Sequence, residues 1–281
     1  MSPALDKRLP GTLTPGVIKQ GLKTRWLGQS AIFSFDVIES TNAEAKRLAQ
    51  EGAQGGTLVV ADTQTKGQGR LGRPWVSPSG SGLYLSTILR PAHSANWFPR
   101  LALTAGVAVA SAIRKTGAMP QLKWPNDILI ADRKVGGILT EAVFDKKRIE
   151  FAVLGIGINV NTEQDEFPLS IRNLATSLRL SLGRRVSRIH LLQSLLCQLE
   201  EWYESLNKGG FDPILESWSE FDSTLGRVVE VFLPESRVVG VAEALQSDGT
   251  LLVRDKENCL HRILAGDVVH CSTDRSSGLK G

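Results

Sequence analysis

The chain has 281 residues, 42% hydrophobic and 22% charged, which is ordinary for a globular protein and enough for one sizeable core plus a small accessory unit. Its net charge of +4 suits an anionic ligand but is spread too thinly to imply a nucleic-acid partner. No apolar run approaches the roughly 18 residues of a membrane span, and no secretory leader opens the chain, so a cytoplasmic location without membrane contact is expected.

Residues 1–30 are interrupted by Pro3, Pro10, Gly11, Pro15, Gly16, Gly21 and Gly28 and predict a loosely structured extension, unsuited to a helix-turn-helix. From Ser34 an apolar strand pattern leads to Ser40, Thr41 and Asn42, good capping residues for a helix over 43–50 that closes at Gly52. A buried strand follows over 58–61. The glycine- and arginine-dense stretch 61–91 reads as a loop between regular elements, and 99–115 as a helix stopped by Gly117. Residues 122–131, 134–144 and 149–160 carry the β-branched and apolar runs of three strands. The clearest helix is 187–207, where Ile189, Leu192, Leu196, Leu199 and Tyr203 repeat at three and four residues. After Phe221 short strands at 228–233, 238–245, 250–254 and 259–264 predict a small barrel of about fifty residues, and the polar end 272–281 is expected to fray.

Cys197, Cys259 and Cys271 have neither an even count nor close pairing, so reduced thiols are expected, and His93, His190, His261 and His270 lack metal-ligand spacing. Three segments carry chemistry. In TKGQGRLGRPWVSPSGSGLYLS (65–86), glycines let amides converge on an oxyanion while Arg70 and Arg73 supply forked donors for phosphate. It is neither a P-loop nor a dinucleotide fingerprint, and taken alone it equally fits a mobile basic surface loop. In KWPNDILIADRKVGGILTE (123–141), Pro125 fixes Trp124, Asn126 and Asp127 at a bend, and Lys134 stands beside Gly136 and Gly137, where it can hold a carboxylate and a phosphate or be an ordinary edge-strand lysine. In GIGINVN (155–161), two glycines on one strand face leave a slot for a flat ligand or for tight helix packing, and Asn159 has an amide to offer an adenine edge.

Taken together, STN at 40–42, Q-x-x-G-x-G-R-x-G-R-x-W at 64–75, GLYLS at 82–86, KWPND at 123–127, the DRKVGGILTE run and GIGINVN resemble the biotin–protein ligase family in order and spacing across residues 36–161. The resemblance implies an α+β catalytic domain, a mixed β-sheet with helices like that of class II aminoacyl-tRNA synthetases, over 31–222. It further implies a C-terminal SH3-like barrel over 223–272, with 1–30 an extension and 273–281 a tail. It implies an enzyme that makes biotinyl-AMP from biotin and magnesium-ATP, then transfers biotin to one lysine of a biotin carboxyl carrier domain, most directly that of acetyl-CoA carboxylase. By the same resemblance Ser40, Thr41 and Gln64 meet the ureido head of biotin, while Gly67, Trp75, Gly137, Gly155 and Gly157 flank its rings and tail. Arg70, Arg73, Trp75 and Asn126 line the phosphate region, and Asn159 reads adenine. Lys134 bridges the reacting carboxyl and α-phosphate, with Lys134 and Arg70 the catalytic pair. Asp127 stands either near magnesium or where it orients Lys134, no metal ligand being firmly assigned. Gln68 occupies a place where the family often has arginine, so it adds no charge to the phosphates.

A lipoate–protein ligase shares the fold and adenylate chemistry, but Gln64 and the GRxW block favour biotin. A DNA-binding repressor is disfavoured because only about thirty Pro- and Gly-broken residues precede the catalytic segment, and a noncatalytic module of the same fold is disfavoured by the retained Arg70, Lys134 and KWPND bend. Both monomer and homodimer fit the sequence.

Overall fold

A computed structural model describes residues 13–208 and 210–271. Seven strands form one mixed sheet in the order β1-β2-β3-β7-β6-β5-β4. They are β1 (Ile32–Ile38), β2 (Leu58–Gln64), β3 (Leu83–Leu89), β4 (Gln121–Lys123), β5 (Asp127–Ile130), β6 (Arg133–Asp145) and β7 (Arg148–Ile158). β1 and β2 run parallel, joined by α2 (Thr41–Gln50), and every other pairing is antiparallel. The long β6–β7 hairpin is the centre, its two strands lying where apolar runs predict strands.

One sheet face is covered by α3 (Phe98–Arg114), α5 (Arg188–Lys208) and α6 (Asp212–Phe221), the short α4 (Leu178–Leu182) preceding α5. α3 is apolar nearly all round because it lies between the sheet and two helices, and Gly106 lets Trp218 approach: a Cβ there would stand 2.8 Å from its ring. α2 covers part of the other face, with Ala45, Leu48 and Ala49 packed on Val59, Ile88, Phe151 and Val153. The rest of that face is the site described below.

A second, five-stranded antiparallel sheet has the order β11-β10-β9-β8-β12, built from β8 (Val228–Phe232), β9 (Arg237–Leu245), β10 (Leu251–Asp255), β11 (Leu260–Ile263) and β12 (Asp267–His270). β12 lies beyond the four strands expected. Trp124, 1% exposed, joins the two sheets: its amide donates to Thr224 Oγ1 at 2.9 Å and its indole N–H to Gly249 O at 3.1 Å.

Three further expectations differ. The GLYLSTIL run, read as part of a loop, contains β3, a strand buried along its whole length between β2 and β7. Residues 122–131, read as one strand, are two, because the Pro125 bend separates β4 from β5 and turns them against each other. Residues 13–30 are not loose: α1 (Pro15–Gln20), capped by Thr14, buries Ile18 completely, and Leu27 is equally buried. The reason is distant in sequence. Glu200, on α5 and 5% exposed, accepts the amides of Arg25 at 2.7 Å, Trp26 at 2.9 Å and Leu27 at 3.0 Å. Residues 1–12, and the end 272–281 expected to fray, lie outside the described residues.

That carboxylate replaces a missing strand or helix partner for three consecutive amides. Glu200→Ala strands them, so it is expected to lower the unfolding free energy by about 3 kcal/mol or more, whereas Glu200→Gln keeps an accepting oxygen and loses less. Urea unfolding followed by tryptophan fluorescence measures both, and equal midpoints for Glu200→Ala and the unmodified chain would sink this account.

Candidate active site

The polar end of the site is built where α2 begins. Ser40, in extended conformation, is the N-cap, and its Oγ accepts the Ala43 amide at 3.4 Å. The Thr41 amide, one of the first-turn donors that a helix cannot satisfy internally, donates to Gln64 Oε1 at 2.8 Å, and Thr41 Oγ1 lies 3.1 Å from the same oxygen. Parallel pairing of Ile38 with Gln64 brings the end of β2 beside the start of α2, so this contact follows from the topology. Gln64 Nε2 is left facing the site, 3.5 Å from Ser77 Oγ. Behind it, Ser86 Oγ of β3 lies 2.8 Å from Thr41 Oγ1 and 2.6 Å from Asn42 Oδ1, and Asn42 Nδ2 donates to Glu141 Oε2 at 2.8 Å. Asn42, Ser86 and Glu141 were not expected here. The STN run signalled Asn42 only as a capping residue, and the contact with Glu141 depends on sheet register.

The middle is a slot on the β6–β7 hairpin, where Gly137 pairs with Gly157 and Leu139 with Gly155. Missing side chains make the space. A Cβ at Gly155 would stand 2.0 Å from Asn42 Oδ1, and one at Gly157 2.7 Å from the Trp75 ring. A Cβ at Gly137 would meet both Lys134 Cε and Trp75 at 3.3 Å. Trp75 therefore lies directly on the glycine strand, with its indole N–H buried and without a partner. Its loop is not irregular. The Trp75 amide donates to Gly67 O at 2.8 Å and Gly69 N to Arg73 O at 2.7 Å, so residues 67–75 form a narrow hairpin. Leu71 (φ 56°) and Gly72 (φ 70°) make its tip, the two positive φ angles of a type I′ turn.

Cations gather at the far end. Lys134 Nζ lies 5.7 Å from the centre of a Trp75 ring and pairs with Asp127 Oδ1, while Lys123 Nζ holds Asp127 Oδ2 at 3.1 Å. Burial raises the Asp127 pKa, but the two lysines outweigh it and leave the carboxyl below its ordinary range. Arg70 Nη1 donates to Asn126 Oδ1 at 3.3 Å and to Gly266 O at 3.0 Å, and Asn126 Nδ2 donates to Ile138 O at 2.8 Å. Burial weakens the hold of Arg70 on its proton. Arg73, exposed, pairs with Asp267, and Lys123 Nζ donates to Val268 O at 3.1 Å. Three successive residues, Gly266 just before β12 and Asp267 and Val268 in it, thus each engage one cation of the site. Nothing in the motifs marked Gly266, Asp267 and Val268, because they carry no chemistry until the second sheet is placed.

Asn159 sits apart from this line. It is 5% exposed, and its amide donates to Thr176 O at 3.1 Å, holding residues 174–176 beside Lys134, whose own carbonyl accepts the Thr176 amide at 2.9 Å. Nor does Asp127 fit a metal: both its oxygens are taken by lysines, and among the described residues no group of three or more His, Cys, Asp or Glu could hold one. Of the residues expected, Thr41, Gln64, Gly67, Trp75, Gly137, Gly155, Gly157, Lys134, Arg70, Arg73, Asn126 and Asp127 form one continuous line, with Ser40 behind it as a cap. The line can take a ligand with a polar head, a flat apolar middle and an anionic end.

The sequence profile of the Biotin/lipoate A/B protein ligase family matches residues 34–159. The bifunctional ligase/repressor BirA of Bacillus spizizenii is 38% identical over 260 residues, 92% of this chain and 79% of that protein. The biotin–[acetyl-CoA-carboxylase] ligase of Mycobacterium tuberculosis is 31% identical over 277 residues, 92% of this chain and 97% of its own length. Among solved structures, the biotin protein ligase of Aquifex aeolicus in complex with biotin and ATP superposes with a TM-score of 0.74 at 32% identity, covering 86% of this chain and 98% of that one. No helix among the described residues is long and apolar enough to cross a membrane. With these sequence matches spanning most of both partners and the motifs converging on one slot, the chain belongs to the biotin/lipoate A/B protein ligase family.

Proposed function

We propose that this chain is a biotin–protein ligase that activates biotin with ATP and transfers it to a lysine of a biotin carboxyl carrier domain, the domain of acetyl-CoA carboxylase being the substrate that the names of its relatives suggest. The observation that carries the reading is the order of environments along the slot: an amide and hydroxyl at Gln64 and Thr41, then a glycine floor under Trp75, then Lys134 and Arg70. Biotin has the same order, a cyclic urea, a flat bicycle and a carboxylate. Lipoate has no urea to use the polar end, where unpaired groups would weaken its binding.

In the first step a biotin carboxylate oxygen attacks the α-phosphorus of ATP, the bond to the β-phosphate oxygen breaks, and pyrophosphate leaves. In the second, a carrier amine attacks the acyl carbon, AMP departs with the electron pair of the C–O bond, and the amine loses a proton as the amide forms. Negative charge grows on phosphate and acyl oxygens in both, so aligned cations supply the catalysis and no covalent enzyme intermediate is needed. Lys134 is the cation next to the slot floor and is assigned to the carboxylate and α-phosphate oxygens. Arg70 and Arg73 are assigned to the phosphates, and Asn126 aims Arg70. Asp127 is the counter-ion that keeps Lys134 in place. Magnesium, entering with ATP, would offset the charge of its phosphates, and no residue here is assigned to it. Asn159 acts by bracing residues 174–176, the reading its buried bond supports over direct contact with adenine.

Purified chain, biotin and ATP are expected to label a carrier domain by one biotin, read by intact mass, and Arg70→Ala and Lys134→Ala should each slow labelling by about a hundredfold. A carrier labelled with lipoate and not biotin would overturn the assignment. Gly157→Ala drives a methyl into Trp75, so the KM for biotin should rise by about tenfold with circular dichroism unchanged; an unaltered KM would remove the glycine strand from the biotin site.

A further inference from the structure

Counting protons along one chain of contacts fixes which way its hydrogen bonds point. The Glu141 carboxylate only accepts, so the 2.8 Å contact puts the amide nitrogen of Asn42 toward it and the Asn42 oxygen toward Ser86. That oxygen only accepts too, so its 2.6 Å contact uses the one proton of Ser86. Thr41 Oγ1 has one proton and two oxygens in reach, Ser86 Oγ at 2.8 Å and Gln64 Oε1 at 3.1 Å; Gln64 Oε1 already accepts the Thr41 amide, so the proton goes to the nearer Ser86 and Thr41 Oγ1 has lone pairs left to offer the site. Beside it, the Thr41 amide holds Gln64 Oε1 at 2.8 Å, which leaves the Gln64 NH2 group as a donor.

We propose that Glu141, acting through Asn42 and Ser86, is a positioning residue for specificity: it fixes Thr41 as an acceptor next to Gln64 as a donor, the pattern that a cyclic urea answers with adjacent N–H and C=O. This rests on the ligase reading and on Thr41 and Gln64 meeting the urea. The relay is shielded. Ser86 is 0%, Thr41 4% and Asn42 7% exposed, so bulk water does not reset the pattern, and the missing Cβ of Gly155 is what admits Asn42 to it. With glutamine at 141, an amide faces Asn42 with either end, Asn42 is free to turn over, and the chain can run in reverse with the Thr41 proton aimed into the slot.

A simple brace between α2 and the sheet would make different numbers. Calorimetric titration with biotin and steady-state pyrophosphate release are measured for the unmodified chain, Glu141→Gln, Ser86→Ala and the double variant. Each single change is expected to raise the Kd and KM for biotin by about tenfold, with the double no worse than either, because both break one relay. The kcat and the KM for ATP should stay within about twofold of the unmodified values. Biotin bound normally by Glu141→Gln, or losses that multiply to about a hundredfold in the double, overturns the proposal. If Glu141→Gln does not fold, Ser86→Ala decides alone: a raised KM for biotin at unchanged kcat supports the relay, and any other pattern overturns it. Failure of the unmodified chain to bind biotin defeats the ligase reading itself, whereas normal biotin binding by Gln64→Ala defeats the urea contact, and each takes the relay with it.

Discussion

Close approach to a strand without side chains is the constraint on which the site depends. Asn42 and Trp75 come from different sides of the sheet's open face, and both rest on β7 at glycines two residues apart, where a Cβ would stand 2.0 Å and 2.7 Å from them. Because the first contact is made, α2 begins low enough on the sheet for Thr41 to reach Gln64 and Ser86. Because the second is made, the arginine hairpin closes over the slot with Trp75 as its base, and Lys134 lies against the same ring. Ordinary strand residues at 155 and 157 would pair equally well in the ladder, so these glycines answer to the site and not to the sheet.

Charge is the second organising term. Lys134, Lys123, Arg70 and Arg73 lie along one end of the slot, a concentration that would repel itself without compensation. Asp127 serves two of them, and residues 266–268, where the chain enters β12, serve three through two carbonyls and a carboxylate. The second sheet is therefore part of the site's electrostatics, and Trp124 fixes its distance by bonding to both Thr224 and Gly249.

Local signals made much of this legible in the sequence. Caps at residues 40–42, the apolar runs of the central hairpin, the three-and-four spacing of α5 and the proline bend all act within a few residues of themselves. What escaped was decided at long range. The 13–30 segment is ordered by a carboxylate some 175 positions away, for which glycine and proline counts carry no signal. β3 was hidden because glycine density suggested a loop while its own seven residues, Ser86 and Thr87 among them, are buried on both faces. Asn42 could be read as a helix start but not as a partner of Glu141, since that pairing exists only once Leu139 lies opposite Gly155. The resemblance named the slot residues; it was silent about the cations' neighbours on β12.

The two ends of the slot are organised at different strengths, and the difference suits the chemistry. At the polar end Thr41, Asn42 and Ser86 are buried and hold one another and Gln64 Oε1 within the protein, so its geometry is set before any ligand arrives and selection can be strict. At the other end Arg73 is itself exposed where it pairs with Asp267, and the Leu71 tip between the two arginines is 75% exposed. Phosphate oxygens are better acceptors for a guanidinium fork than a single carboxylate, so an incoming triphosphate can exchange with Asp267 without leaving any cation bare. A fixed head site and an exchangeable tail site let one slot discriminate its acid strictly while binding and releasing nucleotide and pyrophosphate in each cycle.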